Sequence, residues 1–199
     1  MSDQTYDFGD GPVPAKRHIN PDGSTGGWVA NSAQVYGNAW VYGDAQVSGD
    51  ARVSDNARVF GNAQVFGDAW VYGNARVYGN AQVSGDARVS DNAWVYGDAQ
   101  VSGDARVFGD AQVFGNARVY GDAWEKSPLQ IQGTKHFVCM CTRKLLNIGC
   151  TRLTIDEWKK KGIILGEQNG YTTEQIAEYR LYIELAAKLY PPIEEEKDL

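Results

Sequence analysis

Alanine and valine recur at fixed places over residues 33–122, where each six-residue unit reads Ala, variable, Val, aromatic or Ser, Gly, Asp or Asn. Fifteen such hexads follow one another without an insertion. Inside a hexad, Ala-x-Val alternates buried and variable positions with the two-residue period of a strand that has one covered face. Gly followed by Asp or Asn is turn chemistry, because these residues tolerate positive φ. The pattern therefore predicts a short strand and a sharp turn repeated along the chain, which is a parallel β-helix. Two hexads carry Asp55 and Asp91 where Gly is expected, and Asn, another residue that enters the left-handed region, follows each. A weaker copy at residues 27–32 keeps Trp28 and Val29. A truncated copy, Ala123 and Trp124, ends where Glu125 replaces the expected Val.

The unit Val-x-Gly-[Asp/Asn]-Ala-x resembles the hexapeptide repeat of left-handed parallel β-helices, over residues 27–124. That resemblance implies a triangular prism with three hexads per coil, and homotrimers packed along prism faces. The family's fold hosts acyltransferases, carbonic anhydrases, ice-binding proteins and inert scaffolds, so it does not by itself name an activity. If residue i stacks on residue i+18, the variable positions must sort into columns. They do: one corner reads Asp50, Asp68, Asp86, Asp104, Asp122, and another reads Asn38, Asn56, Asn74, Asn92, Asp110. One face carries Gln46, Gln64, Gln82 and Gln100 beside Ser48, Phe66, Ser84 and Ser102 and reads as a solvated wall. A second carries Trp40, Arg58, Arg76, Trp94 and Gln112 beside Tyr42, Phe60, Tyr78, Tyr96 and Phe114. The third carries Gln34, Arg52, Trp70, Arg88 and Arg106 beside Tyr36, Ser54, Tyr72, Ser90 and Phe108.

An aromatic residue on every coil, interleaved with Arg, makes a larger apolar side than a monomer ordinarily exposes, built from residue types enriched at interface hot spots. The leading expectation is that Trp40, Tyr42, Arg58, Phe60, Arg76, Tyr78, Trp94, Tyr96 and Phe114 meet protein, either a second copy, with a trimer favoured, or a host partner. The competing expectation is that the rings only pack along their own column and hold register. Arg beside aromatics also suits a small anionic, stackable ligand such as a nucleotide, with Arg52, Trp70, Tyr72, Arg88 and Arg106 as a secondary surface. The Asp column would repel longer nucleic acid, and each of its carboxylates is expected to accept backbone N–H bonds in its own turn.

Composition narrows the chemistry. Nineteen basic against twenty-five acidic side chains in 199 residues leave a net charge of −6, which argues against nonspecific binding to nucleic acid or anionic membrane. No apolar run reaches the length of a membrane span, the first ten residues lack the features of a signal peptide, and three cysteines suit a reducing compartment. The expectation is a cytoplasmic protein. Residues 27–124 contain no His, Cys or Lys and no inserted loop, which disfavours an acyltransferase of this fold with its histidine base. His18 and His136 are too few for a three-histidine zinc site, and no Thr ladder is present for ice binding. No cofactor is expected.

Residues 1–26 are rich in Gly and Pro and read as a turn-rich arm. From residue 125 the hexads give way to helical periodicity, with all three cysteines and balanced charge. Residues 136–141 and 145–150 read as paired strands. Thr154-Ile155-Asp156-Glu157 and Thr172-Thr173-Glu174-Gln175 read as capping boxes that open two helices, the second stopped by Pro191 and Pro192. Ile176, Tyr179, Ile183 and Tyr190 share a face expected to cover the last coil. His136, Cys139, Cys141 and Cys150 total four potential zinc ligands in an unfavourable spacing, so buried thiols are preferred. Ser127-Pro128-Leu129-Gln130-Ile131-Gln132-Gly133, Ile148-Gly149-Cys150, Thr154-Ile155-Asp156-Glu157-Trp158 and Gly170-Tyr171-Thr172 resemble a segment attached to hexapeptide β-helices in bacteriophage and prophage proteins. This implies a bacterial cytoplasm and action on host defence, by binding a host protein or sequestering a nucleotide signal. The fold expected is an all-β solenoid, a left-handed parallel β-helix over residues 27–124, with an N-terminal arm at 1–26 and a small α+β cap at 125–199. The function expected is a non-enzymatic, self-associating binding scaffold. The alternative is an acyltransferase using His136 at a subunit boundary.

Overall fold

The computed structural model describes residues 4–191; Pro192, expected to help stop the last helix, lies outside them. The chain divides into two compact units, Met1–Pro128 and Leu129–Leu199. In the first unit the hexads form a parallel β-solenoid of about five turns, three hexads to a coil. Trp40 pairs with Arg58, and Arg58 with Arg76, at the predicted spacing of eighteen residues. Apart from the six-residue Thr25–Ala30 at the start, the coils contribute two- or three-residue strands to three parallel walls, which we call the glutamine, arginine and aromatic walls.

The lumen is filled by the two invariant apolar positions. From Val41 to Val119 every Val and Ala of the repeat is buried. Small, branched side chains suit this space because adjacent coils lie too close for anything longer to point inward without displacing backbone. The corners are turned by Gly at positive φ, between 49° and 73°, while Asp55 and Asp91 take the same conformation at φ 60° and 57°. These two carboxylates add a contact that Gly lacks: Asp55 Oδ2 accepts from Gly73 N–H at 3.0 Å, and Asp91 Oδ2 from Gly109 N–H at 3.1 Å. Substitution at these corners is thereby offset by a bond to the next coil. The asparagine corner forms an amide ladder in which Asn38, Asn56, Asn74 and Asn92 each donate to the next rung, ending on Asp110.

Both ends depart from the hexad pattern. At the start, Thr5–Asp7 and Pro12–Ile19 form an antiparallel hairpin, and Pro12–Ile19 pairs with Thr25–Ala30, the first strand of the glutamine wall. The segment read as an arm thus covers the first coil. Asn20 Oδ1 accepts from Val41 N–H at 3.0 Å, and Asn20 donates to Ser24 Oγ at 3.1 Å. Tyr6 stacks on Trp28 at 4.6 Å, with the Arg17 guanidinium 4.6 Å over the same indole.

At the other end the register slips by one residue. Ala123 pairs with Arg106 and Trp124 with Val107, so Trp124 takes the inward position that the hexad pattern assigns to Glu125. Gly121 and Asp122 are both at positive φ, 49° and 57°, and this double turn shortens the coil. A one-residue slip turns each side chain to the opposite face. Trp124 is consequently 2% exposed and Ala123 faces outward, the reverse of the sequence expectation.

The second unit is a four-stranded antiparallel sheet (Gln130–Gln132, Phe137–Met140, Leu145–Ile148, Thr151–Thr154) followed by helices α1 (Ile155–Gln168) and α2 (Thr173–Leu189). Both predicted capping boxes are present, on Thr154 with Glu157 and on Thr172 with Gln175. Trp158 Nε1 donates to Leu146 O at 2.8 Å, tying α1 to the sheet. Gly162 and Gly166 let α2 come close: a Cβ on Gly166 would lie 3.0 Å from Ile176. Among the described residues no helix is long and apolar enough to cross a membrane.

Candidate binding surface

The aromatic wall brings together all nine residues expected to form the binding face. Tyr42, Phe60, Tyr78, Tyr96 and Phe114 stack in one column with centroid separations of 4.9, 4.8, 5.0 and 5.6 Å, the first three pairs within 3° of parallel. Coil spacing explains this geometry, because strands about 4.8 Å apart hold successive rings at the upper end of stacking distance. The ring faces therefore point along the solenoid axis and are used by one another. Ring edges and the hydroxyls of Tyr42, Tyr78 and Tyr96 are left to form the outer surface. The phenol of Tyr78 is pushed up by burial, and next by its neighbour Tyr96. Beside the ladder, Arg76 lies 4.8 Å over the Trp94 ring, and Trp94 and Trp40 meet the ladder edge-on. Own-column packing is thus present, and the rings remain half-exposed.

The other two walls differ in kind. On the glutamine wall, Gln82 donates to Gln64 at 3.1 Å, as an amide ladder requires. On the arginine wall, Arg52, Arg88 and Arg106 are exposed, with Arg88 and Arg106 on successive rungs. Trp70 leans over Ser54 and donates to its Oγ at 3.3 Å, and its ring sits 4.6 Å from Tyr72 at a tilt of 39°. Its indole covers Ser54, which is buried, so this wall is less regular than the aromatic one.

In the second unit the four candidate zinc ligands do not converge, and no grouping of three His, Cys, Asp or Glu side chains able to hold a metal ion occurs among the described residues. Cys139 and Cys141 are buried and donate to the carbonyls of Met140 and Leu145. Burial pushes the Cys141 thiol up. Cys150 is exposed, contrary to the expectation of a buried thiol. It lines a cavity of about 60 Å³ with His136, Trp158, Tyr171 and Tyr179. The His136 ring turns inward against Gly149, where a Cβ would lie 3.0 Å from its Cγ, and 5.7 Å from the Tyr171 ring. Tyr179 Oη donates to His136 O at 2.8 Å and accepts from Lys135 N–H, while Lys135 Nζ donates to the carbonyls of Asn169 and Gly170. Ile176 and Ile183 line the same cavity, and Tyr190 Oη accepts from Leu129 N–H, so the face expected to cover the last coil is used within this unit.

Burial pushes the Tyr171 phenol up to about 12. The folded state keeps this proton where the unfolded chain, at 10.0, has lost it. Stability is therefore expected to fall as pH rises from 10 through 12, and in Tyr171→Phe that alkaline loss should shrink, as read by denaturant midpoints across the range. An unchanged slope in the variant would show that another group carries it.

Sequence reasoning missed Leu181, Leu185 and Leu189 on α2, which are 64%, 40% and 55% exposed. Their spacing of four residues is the available signal, on the side of the helix opposite Ile176, Tyr179 and Ile183.

Comparison with known proteins bears on the first unit. Residues 33–49, 45–61, 51–67, 63–79, 69–83, 81–97, 99–112 and 111–126 match the family described as the YdcK beta solenoid repeat. The hexads are similar to that repeat. Every matched window begins at the Ala of a hexad, so the YdcK-type frame and the structural frame coincide. The match covers just under half of the chain and does not reach the second unit. A YdcK-type solenoid fits a scaffold or binding role in general terms. No curated protein and no solved structure gives a significant match.

Proposed function

We propose that this protein is a non-catalytic scaffold that self-associates through its aromatic wall. The carrying observation is the five-ring ladder. Rings locked face to face by their own column form a rigid, straight row of half-exposed edges, which loses little side-chain entropy on binding. Tyr hydroxyls, Trp40, Trp94, Arg58 and Arg76 supply polar and aromatic contacts along the same wall. The carboxylates of Asp68 and Asp86 recur at the same coil spacing as Arg58 and Arg76, so copies in axial register can oppose acid to base. The resemblance to hexapeptide β-helices supports a trimer.

Sequestering a nucleotide along the length of the wall has less support, since base stacking needs ring faces and the ladder has already used them. The acyltransferase reading requires an accessible His136, whereas this ring turns into its own unit. A bacterial cytoplasmic setting with a host-protein partner rests on the resemblance of residues 127–190 to phage and prophage segments.

Tyr78→Asp combined with Tyr96→Asp places two carboxylates on adjacent rungs of the wall. Light scattering is expected to report a multimer for the wild type and a monomer for the double variant. Arg76→Glu, which spares the ladder, should weaken assembly about tenfold. A wild type that scatters as a monomer, or a mass unchanged in the double variant, would sink the proposal.

A further inference from the structure

The aromatic ladder begins at Tyr42 with one ring face covered and the other open. Phe60 stacks on one side at 4.9 Å and 2°, whereas Trp40 meets Tyr42 only edge-on, at 6.2 Å and 83°. The aromatic sheet ends at Trp40–Val41, and beyond it the chain is the turn between Pro12–Ile19 and Thr25–Ala30, where Ser24 N–H donates to Asp22 and no ring continues the column. Among the described residues no other ring stacks on Tyr42. The column stops at Tyr42, and beside it lies a cavity of about 250 Å³ lined by Ser24, Trp40, Tyr42 and Arg58.

Each lining group has a defined capacity. Tyr42 presents an unstacked face at the end where the next ring would continue the column. Trp40 stands nearly perpendicular to it as a side wall. Arg58 is exposed and makes no ion pair among the described residues. Its neighbour on the next rung is Arg76, so like charges sit side by side and an anion would relieve their repulsion. Ser24 Oγ accepts from Asn20 at 3.1 Å, and its hydroxyl donates to the Asp22 carboxylate, which holds that carboxyl below its usual range. Asp22 turns its carboxylate to Ser24 N–H at 2.9 Å and does not line the cavity.

A flat π surface, a perpendicular aromatic wall and an unpaired guanidinium match a planar ring that carries one anionic group. The volume falls just under the range of about 300–1,000 Å³ typical of drug-sized ligands, which favours one ring system over a dinucleotide. We propose that this cavity binds a small planar aromatic anion, a nucleoside monophosphate or an aromatic carboxylate, at the open end of the ladder. Trp40, Tyr42 and Arg58 also belong to the wall proposed to self-associate, so this inference rests on assembly leaving the Tyr42 end of the wall open.

Calorimetric titration of the full chain with AMP, indole-3-acetate, adenosine and inorganic phosphate tests this. At least one of the two aromatic anions is expected to bind, with adenosine and phosphate about tenfold weaker or silent. Which anion binds identifies the source. Tyr42→Ala and Arg58→Ala should each weaken binding about tenfold. Ser24→Tyr places a ring in the cavity from within the chain, and it should abolish binding. Neither anion binding at millimolar concentration, or binding unchanged in folded Ser24→Tyr, would overturn the proposal. Light scattering of the same Ser24→Tyr protein separates this site from the assembly interface, because multimer mass should not change.

Discussion

Trp124→Ala is expected to lower the unfolding free energy by about 3–5 kcal/mol, the usual range for removing a buried indole. The residue sits over Val107 because the last corner, Gly121-Asp122, is one residue short of the repeat. Remove the ring and the last valine layer loses its cover, with no side chain nearby long enough to replace it. Because a solenoid gains stability from nearest-neighbour contacts, the damage should spread from that end and not appear as a uniform loss. Hydrogen exchange should accelerate most over residues 99–124 and least near the first coil. Trp124→Leu, which keeps an apolar inward side chain, should recover part of the loss. If Trp124 faced solvent as the hexad pattern implies, alanine would cost well under about 1 kcal/mol, and a measurement in that range would refute the slipped register.

Gly26→Ala should be comparably severe for a different reason. A Cβ at Gly26 would lie 1.9 Å from Val41 O, and one at Gly27 2.2 Å from Ala45 O. Both obstacles are backbone, which cannot rotate away, so the first glutamine-wall strand must lift off the coil beneath it. That strand links the N-terminal hairpin to the solenoid, and with it goes the Asn20 contact that satisfies Val41 N–H. We expect a loss of about 3 kcal/mol or more in denaturant titration, at the upper end of overpacking effects. Gly103→Asn provides the contrast. It occupies a corner at φ 60° with its nearest neighbour 3.9 Å away, and Asn tolerates that conformation, so the cost should stay near 1 kcal/mol. Equal effects at the two positions would mean that φ, not the close approach of backbone, governs glycine in this chain.

The two ends and the middle of the solenoid were not equally legible. Val77, Ala75 and Gly73 follow from a local rule, since a strand of period two and a positive-φ corner each need only a few neighbouring residues. The same holds for Thr154 and Thr172, whose capping partners lie three residues away. Trp124 and Asn20 were misread or passed over because their roles are set by edges. Nothing within six residues of Trp124 announces that a valine layer needs covering, or that Gly121 and Asp122 will both turn left-handed. Cys150 and His136 were grouped with Cys139 and Cys141 because together they make four possible ligands, against an unfavourable spacing, and only the hairpin's geometry separates an exposed turn from a buried strand.

The sequence by itself determined which residues share a column. An eighteen-residue recurrence is arithmetic, and it assigned Tyr42, Phe60, Tyr78, Tyr96 and Phe114 to one wall without coordinates. Which way those rings face was decided only by the tertiary structure. A side chain's rotamer at one coil is selected by neighbours eighteen residues before and after it, and their mutual stacking turned the faces along the axis and the edges outward. That choice changes the wall from a row of stacking platforms into a rigid edge surface, and leaves a ring face open at Tyr42, where the column stops.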